Sequence, residues 1–343
     1  MKKKGITFMK NEKQICPFCG ETLKGDRVRC EVCGMASDAN AADPRLSDEE
    51  LSKRLTIWHK EQRKFTAFGI TLICLFILFP FMSYFIGAVA IVGCLAALGG
   101  SVFFFGKAGK LKRKTKNLIG ANLVRDILAE VFELKEYVPD KYIDRECIAA
   151  TQVIPHWDEC SGSNYVCGKY RGVECMFSDI HLKRVTEDEN KARRTTLFKG
   201  QWIACEFGKK IETPLLVRER PKGKSMHKLE KTKRDLVTQN AAFNEKFQIL
   251  ADDPQSALNL LTPRFMEHIV SAAATADART YLYIGDMWVH IAVDNRRVSF
   301  EAGKGADVSD IRQLRTRMKS ELRYITGIID ELLKNEYLFD CGD

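Results

Sequence analysis

Hydrophobic and polar positions divide this chain into stretches of different character. From Phe65 to Phe105 no side chain carries a charge. That run is about twice the ~20 apolar residues with which one helix crosses a bilayer's hydrocarbon core. Lipid offers a bare backbone no hydrogen-bonding partner, so a spanning segment must be helical or part of a closed barrel. The run predicts two helices, about Phe65–Phe79 with a few further residues and about Tyr84–Gly106. A very short turn would join them in FPFMSYF, where Pro80 lies. A buried core hairpin of a soluble protein would look similar, but so long an uncharged run favours the membrane.

On either side the period changes. Asp43-Pro44 breaks the chain, and Ser47 with Glu50 forms an S-x-x-E capping box that starts a helix through Leu51, Leu55 and Trp58. Beyond the run, Leu118, Ala121, Val124, Leu128, Val131 and Phe132 share one helical face, predicting helix over Lys107–Glu136. From about Tyr142 strands take over: Asn164–Tyr170 and Val173–Leu182 around an Arg171-Gly172 turn, then Gly200–Phe207, Thr213–Arg218 and Phe247–Ala251. Two short helices follow, Pro254–Leu261 and Pro263–Ala274, each with proline in its first turn. Tyr281–Ile284 and Trp288–Val293 read as a second hairpin around Gly285-Asp286. Last, Ile311, Leu314, Met318, Leu322, Ile325, Ile328, Ile329 and Leu332 recur at three and four, opposite a solvated basic stripe of Arg312, Arg315, Arg317, Lys319 and Arg323. Lys222–Arg234 is a polar, basic connection. The fold class is α+β. Strands ahead of a long C-terminal helix suggest a pleckstrin-homology-like roll, from which the helices near Pro254–Ala274 depart. Four parts are expected: 1–40, 41–64, 65–106 and 107–343, the last long enough for its own core.

Charge then fixes an orientation. The 343 residues carry a formal +9, much of it beside the apolar run. Lys53, Arg54, Lys60, Arg63 and Lys64 precede it, and Lys107, Lys110, Lys112, Arg113, Lys114 and Lys116 follow it. The connecting turn has neither Lys nor Arg. The positive-inside rule places both flanks, and both termini, in the cytoplasm of a multi-pass inner (plasma) membrane protein. There the basic flanks would rest against anionic headgroups.

Cysteine spacing gives the second strong signal. Cys16-Pro-Phe-Cys19 and Cys30-Glu-Val-Cys33 stand ten residues apart, each pair followed by glycine. Four thiolates at this spacing can surround one Zn²⁺ tetrahedrally, as in the two knuckles of a zinc ribbon. A disulfide is disfavoured in a reducing compartment. With all four positions filled by sulfur the site would be structural, and a ribbon this small depends on its metal. Of the other eight cysteines, Cys74 and Cys94 fall in the apolar run. Cys160, Cys167 and Cys175, near His156 and His181, could form a second metal site, but their period of two reads as strand.

No phosphate-loop, dinucleotide, zinc-protease or nucleophile-elbow motif occurs. Gly303-Lys304-Gly305 reads as a turn, and Asp158-Glu159 as a loop pair. Asp179 and His181 sit two apart on one strand face, where a base and its orienter could stand, yet no nucleophile accompanies them. No catalytic residue is assigned.

The phrases KGQWIACEF, FNEKFQILADDPQSALNLLTPRFMEHI and YLYIGDMWVHIAV, behind two membrane helices, resemble a bacterial family of unknown function. It is the domain of unknown function numbered thirty-one thirty-seven, whose members sometimes carry a "galanin" label. The resemblance covers about Phe65 to Leu333; the zinc ribbon is not general to the family. It implies a membrane protein without established activity, often encoded near a LemA-type membrane protein.

Two function classes remain. One is a cytoplasm-facing scaffold or adaptor that binds protein partners, possible LemA-type proteins among them. The other is a membrane-anchored sensor or regulator of a small ligand or nucleic acid. The ribbon balances Lys24, Arg27 and Arg29 against Glu21, Asp26 and Glu31. Without clustered basic and aromatic residues, nucleic acid is not the expected partner.

Overall fold

The structure is a computed structural model describing residues 16, 30, 46–86, 88–188, 191–221, 235–301, 308 and 310–334. The chain divides into two compact units, Met1–Asn122 and Leu123–Asp343.

The first unit is built on two long helices, α1 (Asp48–Ile86) and α2 (Ala88–Ile119). Ser47 caps α1 as its sequence requires: its Oγ accepts from the Glu50 N–H at 3.3 Å and its carbonyl from the Leu51 N–H at 2.9 Å. Asp48, Glu49 and Glu50 place negative charge on the positive end of the helix dipole. The helices pair antiparallel. Near the start of α1, the Leu46 N–H donates to Asn122 Oδ1 at 2.9 Å, and Leu51 and Leu55 are buried. Further along, Phe65 and Phe68 meet Phe104, with ring centres 6.1 and 5.6 Å apart. Gly69 lies against the Phe105 ring and Gly100 against Leu72, so small residues set the close approach. The outer surface is apolar, with Ile70, Ile77, Ile91, Val92, Leu95 and Val102 exposed. Among the described residues one helix, within Ile91–Ala129, is long and apolar enough to cross a membrane.

One expectation fails here. The first helix does not turn at FPFMSYF; α1 continues through Pro80 to Ile86. Proline removes one N–H, but apolar helices accommodate it through local adjustment of the backbone.

The helical course after α2 also differs from expectation. A π-helical turn, Gly120–Val124, and the short α3 (Arg125–Ala129) follow. Helix then gives way to strand β1 (Glu133–Val138) instead of reaching Glu136.

The second unit is α+β. After β1 come α4 (Arg145–Thr151), β2 (Glu159–Tyr170), β3 (Val173–Asp188), β4 (Lys191–Glu219), β5 (Asp235–Leu236), α5 (Ala241–Lys246), β6 (Phe247–Ala251), α6 (Pro254–Leu260), α7 (Pro263–Ala276), β7 (Arg279–Asp294) and α8 (Ile311–Leu333). Every strand pairing is antiparallel. The seven-stranded sheet runs β1-β2-β3-β4-β6-β5, with β7 also on β4. The 29-residue β4 is its spine: its first half lies between β3 and β7, its second between β7 and β6.

Local chemistry accounts for the joints. Arg171 (φ 50°) and Gly172 (φ 82°) supply the two positive dihedrals of a tight hairpin turn between β2 and β3. Gly200 faces the Val293 carbonyl so closely that no Cβ would fit, which lets β4 and β7 run together. Asn240, Asp253, Thr262 and Asp310 cap α5, α6, α7 and α8 through side-chain oxygens. The core gathers Ile180, Leu182, Phe198, Trp202, Tyr281 and Ala292. All eight apolar positions foreseen on the last helix are buried in α8.

Two strand readings are corrected. Gly200–Phe207 and Thr213–Arg218 are parts of the single strand β4, and the expected hairpin at Gly285-Asp286 is the middle of β7. Turn-forming residues serve here as an irregularity: Asp286 (φ 54°) pairs with Ile211 where the β4–β7 register shifts.

Candidate functional site

The four expected zinc ligands can be followed only in part. Cys16 and Cys30, one from each Cys-x-x-Cys pair, are both buried. Cys19 and Cys33 lie outside the described residues, as do Lys222–Arg234 and Gly303-Lys304-Gly305. The all-sulfur donor set suits Zn²⁺, which would act by holding the ribbon folded.

In the second unit the most elaborate polar arrangement surrounds Asp179 on β3. The residue is 4% exposed. Its carboxylate accepts from Asn164 Nδ2 (2.7 Å), Gln201 Nε2 (3.3 Å), the Ser299 N–H (3.0 Å) and Ser299 Oγ (2.8 Å). Burial pushes its pKa up, while donors from Asn164, Ser299 and Gln201 pull it back. Asn164, Gln201 and Ser299 all donate to these oxygens, so the arrangement is built for the ionised form. Asn164 also donates to the Ser299 carbonyl at 2.7 Å, which ties the segment after β7 to β2. Gln201 Oε1 accepts from Asn295 Nδ2, and the Tyr324 hydroxyl of α8 accepts from the same amide at 3.4 Å. That hydroxyl donates onward to the Ala276 carbonyl at 2.7 Å.

His181 does not join this network. Its Nε2 lies 2.9 Å from Thr196 Oγ1 on β4. The expected base-and-orienter pairing of Asp179 with His181 is therefore replaced by a structural carboxylate and a separate imidazole. Burial first, then Lys183, Lys199 and Arg296, hold His181 below the ordinary histidine range.

Over the network lies a cleft of about 440 Å³, lined by Lys199 and Gln201 of β4, residues 295–299 and 301, and Arg317, Ser320, Glu321, Tyr324 and Ile325 of α8. Three chain segments far apart in sequence meet there, which is why no motif announced it.

Two further buried pairs escaped the sequence. Trp202 Nε1 donates to His290 Nδ1 at 3.2 Å across β4 and β7, and burial lowers the His290 pKa to about 4. Cys175 and Cys205 face each other on β3 and β4 with sulfurs 3.0 Å apart, both buried. The contact with Cys175 and burial raise the Cys205 pKa well above that of an ordinary thiol. Among the described residues no three His, Cys, Asp or Glu side chains are grouped so as to hold a metal ion. Asp158 and Glu159 are engaged locally, Asp158 with the Val185 N–H (2.7 Å) and Glu159 with Arg194 (2.7 Å).

Residues 196–334, holding most of β4 and the elements through α8 with the whole cleft, match the family model "Protein of unknown function (DUF3137)". That domain accounts for residues 196–334. The match is narrower than the expected Phe65–Leu333, and includes neither the helical pair nor the ribbon. Comparison with curated proteins returns no match. Among solved structures, a similar chain is the crystal structure of the mycobacterial trehalose monomycolate transport factor A, TtfA. It is 11% identical, with 61% of this chain and 95% of that chain covered, at a TM-score of 0.29. A score that low carries no argument.

Proposed function

We propose that this DUF3137-domain protein is a membrane-anchored scaffold or adaptor of the inner (plasma) membrane. In this reading α1 and α2 both span, both termini are cytoplasmic, and the zinc ribbon and α+β unit bind protein partners, a LemA-type membrane protein among the possibilities. One observation supports it above others. The antiparallel pairing of α1 and α2 brings the two basic flanks to one end of an otherwise apolar surface. Lys107 at that end stands over Phe65 and Phe103, 5.6 and 4.6 Å from the ring centres, an arrangement suited to the interface between hydrocarbon and headgroups. A pleckstrin-homology-like relationship is part of the proposal, supported only by the order of strands followed by a long helix.

Reporter fusions at Lys10 and after Asp343 test the topology: both should behave as cytosolic. A secreted-phosphatase fusion active at either end would refute it. Partner binding is tested by cross-linking in cells with and without residues 1–40. The adaptor reading expects specific cross-links that disappear with the ribbon.

A second reading, a regulator that binds a small ligand, is favoured by the cleft beside Asp179.

A further inference from the structure

We propose that the cleft between β4, the segment after β7 and α8 binds a small phosphate-bearing anion. This deepens the regulator reading and does not depend on the adaptor reading.

The chemistry of the walls carries the argument. Four cations line the cleft, Lys199, Arg296, Arg297 and Arg317, against the carboxylates of Glu301 and Glu321. Two of the cations are held in place by carboxylates: Arg296 by Asp294 at 3.1 Å and Arg317 by Glu321 at 3.2 Å. Glu321 is further occupied, accepting the Phe300 N–H at 2.6 Å. Among the described residues neither the Lys199 ammonium nor the Arg297 guanidinium has a carboxylate partner. The crowding is felt nearby, since Lys199 and Arg296 add to burial in keeping a proton off His181.

The neutral polar groups around the cleft are already committed. Gln201 is bonded to Asp179, Ser299 and Asn295. Ser299 bonds Asp179, Tyr324 donates to Ala276, and Ser320 Oγ donates to the Arg317 carbonyl at 2.7 Å. A ligand therefore meets mainly cationic N–H donors on a braced floor. That lining selects a group that only accepts hydrogen bonds and carries more than one negative charge. A phosphate monoester meets both conditions, with several equivalent oxygens for the fork of an arginine and the point charge of a lysine. The volume suits a small molecule or a single headgroup, so the source could be soluble phosphate or a phosphomonoester lipid.

The test uses the full chain in phosphatidylcholine nanodiscs and reads the acylation rate of Lys199 by mass spectrometry, with exposed Lys334 as the internal reference. One arm adds inorganic phosphate; the other builds the discs with phosphatidic acid. Selective slowing of Lys199 in the first arm supports a soluble ligand, and slowing only in the second supports a lipid headgroup. Arg297→Gln should weaken the protective effect about tenfold or more. Arg297→Lys should retain part of it, and Arg323→Gln, on the exposed face of α8, should leave it intact. The proposal is overturned if neither probe protects Lys199, if sodium chloride at matched ionic strength protects equally, or if Arg297→Gln changes nothing.

Discussion

Asp179 shows how a single residue can be misjudged from sequence and yet be decisive. With donors on both its oxygens, replacing it by asparagine would set an amide N–H₂ against N–H and O–H groups. Asp179→Asn should cost about 2–3 kcal/mol in unfolding free energy, measurable by chemical denaturation of the full chain, and should loosen the Ser299 segment. A loss below half that figure would mean the network contributes little. His290 gives a pH signature. Its folded pKa of about 4 lies below the ordinary 6.5, so the folded state binds fewer protons than the unfolded state between those values. Its stabilising contribution is complete above about 6.5 and is lost as pH falls toward 4. With 1.36 kcal/mol per unit, that amounts to about 3 kcal/mol. His290→Gln keeps an acceptor for Trp202 while removing the titration, so the variant should lose less stability than the parent between pH 7 and pH 4.5. Cys205, with its raised pKa, should resist iodoacetamide at neutral pH until the chain unfolds; rapid labelling of the native protein would contradict its burial. In the sequence, Asp179 and His181 stood out by proximity alone. What decides the role of Asp179 comes from Ser299, 120 residues away, and no local pattern points there.

At the scale of elements, legibility followed periodicity. The last helix announced itself by eight apolar positions at three and four, and β6 matches its expected bounds residue for residue, because each has one unambiguous buried pattern. β1, α4 and α5 went unseen: the start of β1 was read as the end of the preceding helix, and α4 and α5 each bury a single apolar side chain, Ile148 and Phe243, too few to show a period. The two halves of β4 and of β7 were separated because glycine and aspartate signal a turn, whereas here the pairing of the two strands continues past them. Gly200 is a sharper case. Its missing side chain is demanded by the Val293 carbonyl on β7, so Gly200→Ala should force the strands apart and lower the melting temperature by several degrees. Gly99, which faces open space on α2, is the matching control and should tolerate alanine. Backbone entropy favours alanine at both positions, so a Gly200→Ala variant as stable as the parent would show that the strand contact sets no cost. The capping box was legible for a different reason: Ser47 and Glu50 carry their own local geometry.

For the whole molecule, the two compact units and the family match divide the chain in different places. The family match begins at residue 196, inside β4, so β1 to β3 belong to the folded sheet without belonging to the matched region. This division allows a test of the metal. Cys19→Ser should abolish zinc binding and expose Cys16 and Cys30 to alkylation, while the sheet of the second unit keeps its melting transition. Retained zinc, measured by atomic emission on the purified variant, would refute the four-cysteine assignment. The α+β class required no long-range information, because the order of strand and helix patterns along the chain carries it. The cleft required β4, the 295–301 segment and α8 together, and only folding supplies that.

The long central strand also sets an order of events during synthesis. Ile203 has its partner in Ile291. At roughly 5–20 residues per second, the ribosome needs several seconds to supply one after the other. Through that interval one margin of β4 has no strand beside it, and α1 and α2 are already fully translated. The nascent chain must therefore pass through a stage in which a long unpaired strand edge is exposed, the kind of edge that recruits chaperones or neighbouring chains.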